Sequence, residues 1–164
     1  MNTGESLIAA RELVVREAAL LDRRDWDSWL ALYMETAEYW LPCWLDEYEP
    51  TSDPLTQISL IYYSSRAGLE DRVFRIRTEK SLASMPLPRT SRLLTILSSD
   101  VTAEGDIVVE SNWATFSYKL DETSYFYGHQ RHVLRHAGEG LRILKRKIIV
   151  MNDKIPSLLD IYSV

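Results

Sequence analysis

The 164-residue chain has a single cysteine, Cys43, and only three histidines, His129, His132 and His136. One thiol excludes an intrachain disulfide, a cysteine-rich zinc site and a self-contained iron–sulfur cluster, because each takes several thiolates or imidazoles. Glycine and proline are scarce, at six each, and no apolar run approaches the roughly 20 residues of a membrane helix. No basic segment followed by an apolar one marks a secretory signal, so a cytoplasmic location is expected. Nineteen Lys and Arg face twenty-four Asp and Glu, for a net charge of −5. A phosphate-backbone binder needs a clustered basic excess, so neither nucleic acid nor a membrane is expected as a partner.

What is abundant is more informative. Five Trp and nine Tyr stand against three Phe. Such side chains combine apolar bulk with a polar tip and are enriched at interfaces. Charge is uneven along the chain: residues 1–60 hold four basic and twelve acidic residues, whereas residues 61–164 hold fifteen and twelve. The length suits one domain over residues 1–164.

Apolar spacing predicts a helix over Glu5–Leu21, with Leu7, Ala10, Val14, Ala18 and Leu21 on its stripe and Thr3 or Ser6 as cap. Asp25 caps a second short helix carrying Trp26, Trp29, Leu30 and Tyr33 on one face. A short strand follows at Glu38–Leu41, stopped by Pro42. Residues 42–56 form an acidic loop and residues 57–63 are β-prone. Arg66–Arg77 returns to helical period, with Leu69, Val73 and Ile76 on one stripe, and Pro86 and Pro88 mark another loop. Residues 91–102, 107–120, 124–136 and 141–152 are four long β-prone runs. The short turns between them, among them Asp121-Glu122-Thr123, imply antiparallel hairpins. In the second run neither alternating face is clean, which implies one face covered by helices and the other by another chain. The expected class is α+β, with helices packed into the concave face of one strongly curved, mainly antiparallel sheet.

Several constellations could carry chemistry. His132 and His136 have metal-ligand spacing on a helix, but on a strand they lie about 13 Å apart at roughly 3.3 Å per residue, beyond the reach of one metal. The same spacing opposes a two-histidine, one-carboxylate iron site. Cys43 sits beside several acids, which would raise its pKa and make it a poor nucleophile. For acid–base work in an internal cavity the candidates are Tyr33, Tyr39, Tyr62, Asp71 and His132; the plainer alternative is that aromatic side chains fill the cavity. On a regular strand Lys145 and Lys147 share one face and Arg142 and Arg146 the other, placing this basic run to pair with the acidic loop or with a partner.

Larger motifs are also present. Asp25-Trp26-Asp27-Ser28-Trp29-Leu30 followed by Ala37-Glu38-Tyr39-Trp40-Leu41-Pro42, and Ile58-Ser59-Leu60-Ile61-Tyr62-Tyr63 leading into Arg66–Ile76, resemble the small (β) subunits of aromatic-ring-hydroxylating (Rieske non-haem iron) dioxygenases. Arg89-Thr90-Ser91, Ser111-Asn112-Trp113, Tyr125-Phe126-Tyr127-Gly128, Leu141–Lys147, Met151-Asn152-Asp153 and Asp160-Ile161-Tyr162 extend the resemblance over almost the whole chain. The Arg66–Ile76 stretch is most similar to the benzoate, toluate and anthranilate branch. Departures are Tyr63-Ser64 where many members carry two aspartates, Leu93-Leu94 in place of a histidine region, and Gly128-His129-Gln130.

The resemblance implies a nuclear-transport-factor-2-like cone-shaped barrel and a structural role. It implies no catalytic, cofactor-binding or metal-binding residue in this chain. The Rieske [2Fe-2S] cluster and mononuclear Fe(II) would sit in a large α subunit, commonly in an α3β3 complex with other β subunits. That complex would dihydroxylate an aromatic carboxylate with O2 and electrons from NAD(P)H, delivered by a ferredoxin or reductase component. The alternatives are a stand-alone cone-fold isomerase or dehydratase using a Tyr/His/Asp pocket, and a non-enzymatic homotrimer with an unrelated partner.

Overall fold

The computed structural model describes residues 2–78, 87–152 and 159–164. Pro86 and Asp153, singled out from the sequence, lie outside these. Helix α1 spans Thr3–Arg23. Its cap is Asn2 rather than Thr3 or Ser6: Glu5 N–H donates to Asn2 Oδ1 and Asn2 N–H donates to Glu5 Oε2, each at 2.9 Å. This reciprocal pair satisfies two orphan donors of the first turn. Its buried stripe is Ser6, Ala10, Val14, Glu17, Leu20 and Leu21. The stripe is rotated slightly from the apolar reading, and it carries a carboxylate.

Helix α2 (Trp26–Ala31) is capped by Asp25, which accepts from Ser28 N–H at 3.2 Å. Tyr33 is not on this helix. It opens strand β1 (Tyr33–Pro42), which is longer than the Glu38–Leu41 stretch expected from β-prone residues. The Trp29 and Tyr33 rings still meet edge to face, with centroids 5.2 Å apart. Strand β2 (Ser59–Tyr63) and helix α3 (Arg66–Arg77) follow; Leu69, Val73 and Ile76 are buried on α3 as the period requires. Strands β3 (Arg89–Val101), β4 (Ile107–Lys119), β5 (Glu122–Ala137) and β6 (Gly140–Val150) form an antiparallel meander.

The order across the sheet is β2-β1-β6-β5-β4-β3. β1 pairs antiparallel with β2 and parallel with β6, which makes the sheet mixed but mainly antiparallel. The sheet is open, with β2 and β3 as its edges. The β4–β5 turn is tighter than Asp121-Glu122-Thr123. Leu120 and Asp121 both take positive φ (50° and 63°), the two-residue form whose twist matches flanking strands, so Glu122 and Thr123 belong to β5. One glycine is set by close approach: a Cβ on Gly128 would lie 1.9 Å from Ile149 O on the neighbouring strand.

Inward positions of the meander alternate strictly on β4 and β5, as Ile107, Val109, Ser111, Trp113 and Thr115 and as Phe126, Gly128, Gln130, His132 and Leu134. β6 breaks the alternation. Val133 pairs with Lys145 but Leu134 pairs with Ile143, so Leu144 is an extra residue. Ile143 and Arg146 are therefore both buried while Arg142 is exposed, and Arg142 does not share a face with Arg146. α1 packs against β3, β4 and β6, and α3 against β1 and β2. The buried apolar residues of helices and sheet form one contiguous cluster.

Candidate functional site

Two places carry the unusual chemistry: a polar cluster inside the sheet and an apolar groove outside it. The inner cluster is built from four elements. The rotated stripe of α1 brings Glu17 to the sheet. β1 supplies Tyr33 and Tyr39, β5 supplies Gln130 and His132, and β6 supplies Arg146. His132, Arg146 and Tyr39 are direct cross-strand neighbours.

Glu17 is the hub. Tyr33 Oη donates to its Oε1 at 3.2 Å, and His132 Nε2 lies 3.1 Å from its Oε2. Arg146 Nη1 is 2.7 Å from Oε1, at ion-pair distance but not aligned as a hydrogen bond. Arg146 also donates from Nε and Nη2 to Gln130 Oε1 at 3.1 and 2.9 Å. Its guanidinium lies over the Tyr39 ring, 5.6 Å from the centroid. The Glu17, His132 and Arg146 side chains are 2%, 1% and 4% exposed, so no solute reaches them.

Electrostatics follow from that enclosure. Burial pushes the Glu17 carboxyl up, but Arg146, His132 and the hydrogen bonds from His132 and Tyr33 outweigh it and hold its pKa below the usual carboxylate value. Burial, reinforced by Glu17, pushes the Tyr33 phenol well up. Burial also raises Tyr39, against the opposing pull of Arg146. A carboxylate held ionised and phenols held neutral are poorly matched to proton transfer near neutral pH. The cluster acts as a clamp between helix and sheet. Tyr39 Oη, Trp29 Nε1, His132 Nδ1, Ser111 Oγ and Thr115 Oγ1 are buried with no protein hydrogen-bond partner among the described residues.

Of the five acid–base candidates, the fold brings Tyr33, Tyr39 and His132 together. Tyr62 instead donates to Glu38 Oε2 at 3.2 Å on the β1–β2 edge, and Asp71 pairs with Arg75 at 3.2 Å on the exposed side of α3. The residue that sequence reasoning missed is Glu17; an acidic residue in register with Ala10, Val14 and Leu21 was the available signal. Arg146 pairs with Glu17 rather than with the acidic loop. His132 is a core residue, whereas His129 and His136 are exposed. Cys43 is half-buried with its thiol pushed up, and the cause is burial rather than neighbouring acids. Among the described residues, no group of three His, Cys, Asp or Glu side chains is placed to hold a metal ion.

On the opposite face, Leu93 and Thr95 of β3, Asn112, Ala114 and Phe116 of β4, and Tyr125, Tyr127 and His129 of β5 line a groove of about 620 Å³ that Met151 borders. Phe116, Tyr125 and Tyr127 stack in series at centroid distances of 5.9 and 6.1 Å. His129 Nδ1 lies 2.7 Å from Asn112 Oδ1, a contact that links two residues of the groove lining. Leu93 is 61% exposed and Tyr125 54%. With exposed Leu97 and Tyr118 they make an apolar face of the kind that marks an interaction site.

The chain is similar to known proteins over most of its length. A family model described as the ring hydroxylating beta subunit matches residues 16–157. The small subunit of 2-halobenzoate 1,2-dioxygenase from Burkholderia cepacia is 42% identical over 151 residues, 92% of each chain. The beta subunit of toluate 1,2-dioxygenase from Pseudomonas putida is 40% identical, over 95% of this chain and 96% of its own. The solved beta subunit of benzoate 1,2-dioxygenase from Burkholderia mallei superposes with a TM-score of 0.80 at 36% identity, covering 96% of this chain and 97% of its own. The α+β architecture expected from the sequence is thus shared with a solved relative.

Proposed function

Because this chain belongs to the ring-hydroxylating beta-subunit family, we propose that it is the small structural subunit of a dioxygenase acting on an aromatic carboxylate of the benzoate or anthranilate type. In this reading residues 1–164 act as one cytoplasmic domain without a catalytic, cofactor or metal site of their own. A large α subunit carries the Rieske cluster and the mononuclear iron, receives electrons from NAD(P)H through a ferredoxin or reductase component, and assembles with this chain as α3β3. The observation that carries the reading is the apolar outer face of β3–β5. Its aromatic side chains stand in water in the lone chain, a cost that assembly removes. The enclosed Glu17 cluster supports it as well, since it ties up the titratable groups that a stand-alone isomerase or dehydratase would expose.

The test is purification of the full chain with and without a co-expressed Rieske-type large subunit. Iron content, cluster absorbance and oxygen uptake should appear only with the large subunit, and native mass spectrometry should give equal numbers of both. Cluster absorbance or turnover by this chain alone would overturn the reading.

A further inference from the structure

Five aromatic rings run in series through the core, from α2 to the β2 edge of the sheet. Trp26 and Trp29 meet edge to face with centroids 6.4 Å apart, and Trp29 meets Tyr33 at 5.2 Å. Tyr33 to Tyr39 is 6.4 Å, and Tyr39 to Tyr63 is 6.2 Å. The outer members keep some contact with solvent: Trp26 is 6% exposed and Tyr63 is half-buried. Trp29, Tyr33 and Tyr39 are fully buried. Apolar bulk alone would be served by Phe or Leu, which leave no donor to satisfy in the core. Here Trp29 Nε1 and Tyr39 Oη are buried with no protein partner among the described residues. Unpaired buried donors are costly and call for an explanation.

Indoles and phenols are the aromatic side chains that give up one electron most readily. Electron tunnelling falls off steeply with distance, so rings in near contact pass an electron where isolated rings do not. The two ring types differ in what happens to the proton. An oxidised indole is only a moderate acid, and with no base at Nε1 Trp29 keeps its proton, so the electron vacancy moves on. A phenol that loses an electron becomes a strong acid, so the vacancy settles only where a base waits at the oxygen. Tyr33 has such a base, because its Oη donates to Glu17 Oε1 at 3.2 Å. In the resting state the proton stays on the phenol, since Glu17 is held ionised and Tyr33 neutral; loss of an electron reverses that order. Tyr39 Oη has no such acceptor among the described residues. Arg146 faces both phenols, so the guanidinium does not distinguish them; the Glu17 carboxylate does.

We propose that Tyr33 is a reversible one-electron redox site served by Trp26 and Trp29, giving its electron outward through the two indoles and its Oη proton to Glu17. The electron acceptor is a one-electron oxidant at the surface beside Trp26, of the class of radicals formed from partly reduced oxygen. The Oη–H bond breaks and an O–H bond forms on Glu17 Oε1. Tyr33 is left as a neutral phenoxyl radical, and the oxidant is reduced by one electron. An electron returned along the same rings from a surface reductant reverses both moves. Glu17 and Tyr33 are closed to solutes, so the radical is not quenched by contact. This goes beyond the structural role proposed above and does not depend on it, because every residue used lies in this chain.

The experiment oxidises the full chain by laser flash with tris(bipyridyl)ruthenium and an irreversible electron acceptor as quencher. Transient absorption and freeze-quench electron paramagnetic resonance follow the radicals, and ring-deuterated tyrosine identifies a phenoxyl signal by its narrowed lines. Exposed tyrosines such as Tyr48, at 83%, react directly and give radicals that ascorbate in solution removes. Wild type should show a second phenoxyl population that outlives these. Tyr33→Phe should remove that population. Glu17→Gln keeps an acceptor oxygen but cannot take the proton, and should slow its formation about a hundredfold. Trp29→Phe should reduce its yield to a small fraction; if unfolding midpoints show that this variant does not fold, Trp26→Phe, at the partly exposed end, takes its place. Tyr39→Phe and Tyr63→Phe should leave it unchanged. A wild type without a persistent phenoxyl signal, or a signal that survives Tyr33→Phe, overturns the proposal. So does a signal formed as fast in Glu17→Gln as in wild type, or full yield in the folded Trp variant. Loss of the signal in Tyr39→Phe overturns the assignment to Tyr33.

Discussion

Replacing Glu17 by glutamine tests the central clamp most directly. The substitution preserves shape and a hydrogen-bonding oxygen for Tyr33, but removes the charge facing Arg146 and His132. Arg146, at 4% side-chain exposure, would keep its full charge with no carboxylate facing it, among the Gln130 amide oxygen, the Tyr33 phenol and the Tyr39 ring. Breaking a buried ion pair from one side costs about 3–5 kcal/mol, mostly as the penalty of an uncompensated buried charge. Domains of this size carry about 5–15 kcal/mol in total. Glu17→Gln should therefore remove a large share of the stability and lower the melting temperature by about 10 °C, at roughly 2–4 °C per kcal/mol. The double variant Glu17→Gln with Arg146→Met removes both charges together and should recover more than half of that loss. Urea unfolding of the full chain, followed by far-UV circular dichroism, measures both. A loss under 1 kcal/mol for the single variant, or strict additivity in the pair, would refute the clamp.

Other consequences follow from the same contacts. Glu17 has a folded pKa below its unfolded value of about 4.3. Its contribution is thus complete above that value and is lost as pH falls through the folded pKa; acid titration of stability should show this loss in wild type and a shallower curve in Glu17→Gln. Gly128→Ala forces a Cβ into Ile149 O and should destabilise the chain by more than 3 kcal/mol or abolish soluble expression, whereas Gly140→Ala, with open space around it, should cost under 1 kcal/mol. Arg92, almost fully buried, donates to Asp22 Oδ1 at 2.5 Å and to Tyr162 O and Val164 O at 2.8 and 3.0 Å. Arg92→Met should release residues 160–164, raising their amide exchange at least tenfold while β5 and β6 exchange as before.

The parts that were legible share a cause. α3 and the β3–β6 meander repeat one local pattern over many residues, so period and turn residues suffice: Leu69, Val73 and Ile76 on one stripe, and Gly138 with φ of 66° at the β5–β6 turn. β1 begins before its β-prone residues because Tyr33 pairs with Ile143 of β6, far away in sequence, ahead of a break in register up to Glu38. The pairing of Arg142 with Arg146 failed for a similar reason. A one-residue bulge at Leu144 shows only in the register against β5, yet it reverses which arginine is buried.

Composition and order of residues by themselves settled the α+β class, the hairpins and the family, because these depend on local periodicity and on motifs spread along the chain. They also limited what one thiol and three histidines could ligate. The tertiary structure alone decided that Glu17, Tyr33, Tyr39, Gln130, His132 and Arg146 meet. These residues come from α1, β1, β5 and β6, more than a hundred positions apart at the extremes. It alone put an aromatic groove on one outer face. Charge and hydrophobicity are written in the residues, but which of them share a surface is set by strand register and by the rotation of a helix about its axis.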